Sequence, residues 1–118
     1  MEKTIKVGVI GLGQMGYLHA RIYKKLPLVE LAAICEINDK RREELQKEFG
    51  CAAYKDYREL LADPEIDAVS IVLPDNMHRE CVEAAVANHK HILLEKPLAK
   101  ELKDGKALYE ITKDYDKV

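Results

Sequence analysis

Thr4-Ile5-Lys6-Val7-Gly8-Val9-Ile10-Gly11-Leu12-Gly13-Gln14-Met15-Gly16 is the stretch on which the reading of this chain turns. Ile5, Val7, Val9 and Ile10 make a β-branched run that stops at Gly11, and a short, nearly continuous apolar run predicts a strand over 4–10 buried on both faces. Beyond the glycines, Met15, Leu18, Ile22 and Leu26 recur at spacings of three and four, which predicts an amphipathic helix with those residues inward, closed by Pro27. The G-x-G-x-x-G pattern of Gly11, Gly13 and Gly16 therefore falls where a strand hands over to a helix, the context in which its mechanism operates. Gly11 permits the tight turn, Gly13 lets backbone approach a pyrophosphate, and Gly16 lets the helix pack close to the strand. Leu12, Gln14 and Met15 complete the loop, and the unsatisfied N–H groups of the first helical turn face the anion.

Working outward, Val29 to Cys35 reads as a second strand, Asn38-Asp39 as turn and N-cap, and 40–49 as a charged helix ended by Gly50. Glu36 stands at the end of that strand, twenty residues after Gly16, where an acidic residue accepts hydrogen bonds from an adenosine ribose. A carboxylate there favours NAD, because a 2'-phosphate would meet it as a like charge. Lys40, Arg41 and Arg42 pull the other way if they reach a 2'-phosphate, and so keep NADP open. They also suit a solvated helix face balanced by Glu43 and Glu44, and Arg41 or Arg42 stacked on adenine fits either cofactor.

The rest of the chain continues the alternation. A short third strand is expected over 51–54, a short helix over 57–61, a fourth strand over 66–73, a helix over 77–87, a fifth strand over 91–94 and a last helix over 100–115. In the helix at 77–87, Met77, Cys81 and Ala85 form the inner stripe, with Val82 and Val86 beside it; in the last, Leu102, Leu108, Ile111 and Tyr115 do. Strands alternating with helices at this rhythm imply an α/β, Rossmann-like, doubly wound parallel sheet with right-handed crossovers and helices on both faces. The last helix would normally lead into another strand, so the sheet is expected to lack its final strand, leaving an edge open to self-association.

Composition sets the outer limits. With 118 residues, 47% hydrophobic and 34% charged, the chain reads as one globular domain able to bury a core without staples. A net charge of −2 with interspersed signs argues against a nucleic-acid or membrane surface. The apolar runs are strand-sized and the first residues lack a leader pattern, so the expected compartment is the cytoplasm. Cys35, Cys51 and Cys81 form no C-x-x-C pair and read as free thiols. His19, His89 and His91 belong to no motif and read as surface or structural residues, and no zinc-ligand spacing is present.

A second constellation lies at the carboxyl ends of the fourth and fifth strands, where open α/β sheets place their ligands. It comprises Leu73-Pro74-Asp75-Asn76-Met77-His78 and Leu94-Glu95-Lys96-Pro97. By themselves Glu95-Lys96 could be an exposed pair, Pro97 a helix-entry residue and His78 a helix N-terminal residue making local hydrogen bonds. Together with the glycine fingerprint, the Pro-x-x-x-His and Glu-Lys-Pro segments resemble the glucose-fructose oxidoreductase, inositol 2-dehydrogenase and rhizopine catabolism family (Gfo/Idh/MocA) over essentially the whole chain.

The resemblance implies that residues 1–118 are the nucleotide-binding part of an NAD(P)-dependent oxidoreductase, whose C-terminal domain, absent from this chain, supplies most of a sugar or polyol pocket. It carries Gly11, Gly13 and Gly16 to the pyrophosphate and Glu36 to the adenosine ribose. Pro74, Asp75 and His78 go to the wall beside the nicotinamide half, and Glu95, Lys96 and Pro97 to the nicotinamide and the substrate. The family often has Thr-Pro-Asn where this chain has Leu73-Pro74-Asp75, which changes the side-chain contacts at Asp75. It also implies a cis Lys96–Pro97 bond aiming Lys96 at the pocket, although only about 5–6% of X–Pro bonds are cis. Lys96 is the expected catalytic residue: a lysine beside a hydroxyl hydrogen-bonds the reacting oxygen and favours a developing alkoxide. The family's second-domain general acid or base has no counterpart, so the isolated chain is expected to bind dinucleotide and catalyse little. A non-catalytic dinucleotide-sensing module and a biliverdin-reductase-like oxidoreductase are the alternatives.

Overall fold

A computed structural model describes residues 4–95 and 102–117. Its elements are β1 (Ile5–Ile10), α1 (Gln14–Lys25), β2 (Val29–Cys35), α2 (Asp39–Phe49), β3 (Ala52–Tyr54), α3 (Tyr57–Leu61), β4 (Ala68–Ile71), α4 (His78–Ala87), β5 (His91–Leu94) and α5 (Leu102–Thr112). All strand pairs are parallel, in the order β3-β2-β1-β4-β5. The order reverses between β2 and β4, on either side of β1, which makes the carboxyl end of β1 the switch point of the sheet.

Two cores lie on opposite faces. Val7, Val9, Leu31 and Ile34 pack with Leu12, Ala20, Leu45 and Phe49 beneath α1 and α2. Ile10, Ala33, Val69 and Ile71 pack with Leu60, Cys81, Val82, Ala85 and Leu108 beneath α3, α4 and α5. The register slips between Val7 and Gly8, which pair with Leu31 and Ala33, so Ala32 is the extra residue of β2. Asn38 caps α2 by accepting from the Arg41 N–H at 2.9 Å, and Gly50 closes it by donating to the Gln46 carbonyl. Lys90, only 4% exposed, donates through Nζ to the carbonyls of Asp63 at 2.7 Å and Ile66 at 2.6 Å. Tyr115 in turn donates its hydroxyl to the Lys90 carbonyl. A buried ammonium thus closes the turn into β4 and ties the segment after α5 to it.

Four sequence expectations change. The stripe of Met15, Leu18, Ile22 and Leu26 does not face the core: these residues are between 43% and 49% exposed, and Gly16 and Ala20 are the buried positions of α1. A Cβ on Gly16 would lie 1.8 Å from the Gly11 carbonyl oxygen, so the helix seats by its small residues and turns these four outward, while Tyr17 and Tyr23 stay half-buried against the core. Met77 likewise leaves the inner stripe of α4, being 37% exposed, and the inward set is His78, Cys81, Val82 and Ala85. β4 is shorter than 66–73; Ile66 is buried ahead of it, and Val72 follows it with an N–H bond to Ile10. The last helix covers 102–112 among the described residues, with Leu108 buried and Ile111 and Tyr115 half-buried. On the α1 side, no described helix covers β5, and Leu93 is 53% exposed. His91 is half-buried in β5, while His89 takes a left-handed φ of 57° in the turn before it.

Candidate dinucleotide-binding cleft

At the carboxyl ends of β1, β2, β4 and β5 the chain continues its sheet bonding for one residue before turning away. Gly11 donates to Cys35, Glu36 to Tyr54, Val72 to Ile10 and Glu95 to Ile71, at 2.8 to 3.1 Å. These four residues form a rim whose backbone is as fixed as the sheet itself. Above it opens a cleft of about 680 Å³, bordered by the glycine loop from Gly11 to Met15, by Glu36 and Ile37, by Lys55 and Tyr57, and by Val72, Leu73, Pro74, Met77 and Glu95.

The three glycines answer different demands. Gly11 has φ +94°, and a Cβ there would meet the Val72 carbonyl oxygen at 2.5 Å. Gly11 and Gly16 are thus required by the protein's own packing. Gly13 is not: its φ is −70° and a Cβ would meet nothing within 4 Å. A glycine that the fold leaves unexplained, facing an open cleft, fits a group that comes close to the backbone from outside. Gly13 is also the N-cap of α1, with no side-chain cap and no acidic residue in the first turn. The first-turn N–H groups and the positive end of the helix dipole are therefore left for an anion.

Leu12 borders the cleft, but its side chain is 1% exposed and packs in the core beneath the loop. Its carbonyl accepts from Arg41 Nε at 2.9 Å, and the Arg41 guanidinium lies 5.8 Å from the centre of the Tyr17 ring. Arg41 braces the loop and is not among the cleft's lining residues. Arg42 donates to the Glu36 carbonyl and to Asp39, whose carboxyl it holds below the usual range. Glu36 Oε2 accepts from the Asn38 N–H at 2.9 Å. Cys35 borders the cleft with its thiol pushed up to about 12 by burial, so it stays protonated and is no nucleophile at neutral pH.

Of the second constellation, Leu73, Pro74, Met77 and Glu95 reach the cleft. His78 does not line it: it is 1% exposed, with Nε2 at 3.0 Å from the Leu73 carbonyl. A buried ring needs that polar partner, which turns it into the β4–α4 connection and away from the wall where the family resemblance put it. Asp75 lies in a short 3-10 turn (Asp75–Met77), with its side chain outside the description. Lys96 and Pro97, and with them the cis bond, lie outside the described residues. Sequence reasoning missed Lys55, Tyr57, Val72 and Met77 as lining residues and His19 as a partner of Glu95, whose Oε2 lies 3.1 Å from its Nε2. Lys55 and Val72 each directly follow a strand, so position at a carboxyl end was the available signal. Among the described residues no cluster is placed to hold a metal ion, and no helix is long and apolar enough to cross a membrane.

The family model for the GFO_IDH_MocA oxidoreductases, described as an NAD-binding Rossmann fold, matches residues 5–118. The chain belongs to this family. Within Gfo/Idh/MocA it is 39% identical over 113 residues to myo-inositol 2-dehydrogenase of Thermotoga maritima, covering 95% of this chain and 34% of that protein. It is 36% identical over 116 residues to scyllo-inositol 2-dehydrogenase (NAD(+)) of Bacillus subtilis, covering 97% of this chain and 34% of that one. A solved levoglucosan dehydrogenase in complex with NADH and levoglucosan superposes with a TM-score of 0.91 at 34% identity, over 98% of this chain and 34% of that one. The chain thus spans about a third of the length of the Gfo/Idh/MocA relatives it matches.

Proposed function

We propose that this chain is the cofactor-holding part of an NAD-dependent dehydrogenase of sugars, polyols or related alcohols. The observation that carries the proposal is Gly13, a glycine with no partner to explain it at the uncapped start of α1, above a rim with one carboxylate on each side. A dinucleotide is a pyrophosphate between two ribose diols. In this reading Gly11, Gly13 and the first turn of α1 hold the pyrophosphate, Glu36 accepts from the adenosine ribose and Glu95 from the nicotinamide ribose. NAD is favoured over NADP because Arg41 and Arg42 are directed to the Leu12 and Glu36 carbonyls and to Asp39. The bound nicotinamide supplies hydride chemistry. Lys96 Nζ hydrogen-bonds the reacting hydroxyl oxygen and exchanges its proton, and the remaining two-thirds of a full-length relative supplies the substrate pocket and a second acid or base. The chain alone binds cofactor and turns over little or no sugar. The outer edge of β5 has no strand partner among the described residues, and pairing of two chains there belongs to the same reading; a monomer by light scattering at high concentration would remove it.

Calorimetric titration with NADH and NADPH side by side tests the reading. Tighter NADH binding, weakened by Glu36→Gln, sustains it; tighter NADPH shifts the credit to Lys40, Arg41 and Arg42; failure of both to bind refutes cofactor holding by this chain.

A further inference from the structure

His19 belongs to no motif, yet from α1 its side chain reaches the residue that follows β5. Its Nε2 lies 3.1 Å from Glu95 Oε2, across 76 residues of sequence, with His19 13% and Glu95 28% exposed at the side chain. A carboxylate only accepts, so the imidazole donates from Nε2. The ring is itself held. Tyr23, one turn further along α1, meets it edge-on with centres 6.3 Å apart, and the Tyr23 hydroxyl is bonded to Ser70, which is fully buried in β4. Ser70, Tyr23, His19 and Glu95 thus form a row from the buried sheet to the rim of the cleft. Glu95 is fixed at both ends, its N–H by Ile71 and its carboxylate by His19. His19 Nδ1 is buried without a hydrogen-bond partner among the described residues, so the ring's position has to be set by its other contacts, those to Glu95 and Tyr23.

We propose that His19 is a positioning residue of the cleft, holding the Glu95 carboxylate where it receives the ribose of the nicotinamide half. The inference rests on the dinucleotide reading above and adds a residue to it. A carboxylate on a flexible side chain loses rotamer freedom when it binds, and a partner that orders it beforehand removes part of that cost. The effect is confined to the half of the ligand that Glu95 meets.

Two probes separate the halves: NADH, and ADP, which carries the adenosine and pyrophosphate without the second ribose. His19→Phe keeps a ring against Tyr23 and removes the donor. It is expected to lower NADH affinity ~3–10-fold while leaving ADP affinity within about twofold, and to have no further effect in a Glu95→Gln background. His19→Gln, whose amide also donates, restores most of the NADH affinity. His19→Asn, too short to reach, repeats the selective loss in a side chain that disturbs packing differently, and decides the matter if the Phe variant melts. Equal loss of NADH and ADP, no loss of either, or a loss that persists beside Glu95→Gln overturns the role of His19. An unaltered chain that binds ADP but not NADH also overturns it; one that binds neither overturns the dinucleotide reading and this inference with it.

Discussion

The two ends of the cleft are built in different ways. At the β1–β2 end the side-chain braces on Glu36 are local: its carboxylate accepts from Asn38 two residues on and its carbonyl from Arg42 six residues on, while Arg41 reaches back 29 residues to Leu12. At the β4–β5 end the braces are distant: Glu95 is held by His19 from 76 residues away, and its N–H extends the pairing of β5 with β4. The first end is written into the stretch from β1 to α2, and the place of Glu36 is readable from spacing; the second exists only once β5 has joined the sheet.

That contrast can be attacked at its strongest point first. Gly16→Ala puts a methyl 1.8 Å from the Gly11 carbonyl oxygen, where backbone rather than a flexible side chain must yield. It should cost ~3 kcal/mol or more in urea denaturation and damage both ends together. A cost under 1 kcal/mol would show that α1 is not seated as described. His78→Ala comes next, since it removes a fully buried ring and leaves the Leu73 carbonyl without that partner. About 2 kcal/mol of stability should go, with NADH affinity changed less than twofold; a large affinity loss would return His78 to the cleft wall. Gly13→Ala should do the reverse, leaving the melting temperature nearly unchanged because a Cβ there meets nothing, yet weakening NADH ~10-fold. Equal binding by the alanine variant would remove the main support for a ligand at the loop.

The smallest effect at neutral pH concerns thiols. Burial pushes Cys35 and Cys81 up from the ordinary 9.0 to about 12, so the folded state holds protons that the unfolded state releases. Their contribution is fully present below pH 9 and fades as pH rises toward about 12. Lys90, whose ammonium burial disfavours, acts in the opposite sense, because its proton leaves the folded state first. Thermal melts from pH 8 to 11 should therefore decline more gently in the unaltered chain than in a Lys90→Met variant.

The order of strands and helices was legible because the apolar period switches between two and 3.6, and because Asn38, Gly50 and Pro27 mark helix ends. The seating of α1 was not. Two sequence rules conflicted there: the hydrophobic stripe asked for Leu18 and Ile22 inside, while Gly16 asked for close approach by a face of small residues. Backbone contact at the loop won, since a helix cannot place both faces against one sheet. In the site, Glu36 followed from its distance to the glycines, whereas His19 offered only a faint cue, three residues beyond Gly16 on the sheet-side flank of the helix. Nothing in the spacing of His78 distinguished a wall residue from a buried one.

The outward stripe on α1 bears on anyone who would improve this chain as a free-standing reagent. Replacing Leu18 and Ile22 with glutamate or lysine is the change that solubility engineering would choose first, and the fold as described would hardly register it. The seat of the helix is encoded in Gly16 and Ala20, so Leu18 and Ile22 on its outer face are open to redesign while its smallest residues are not.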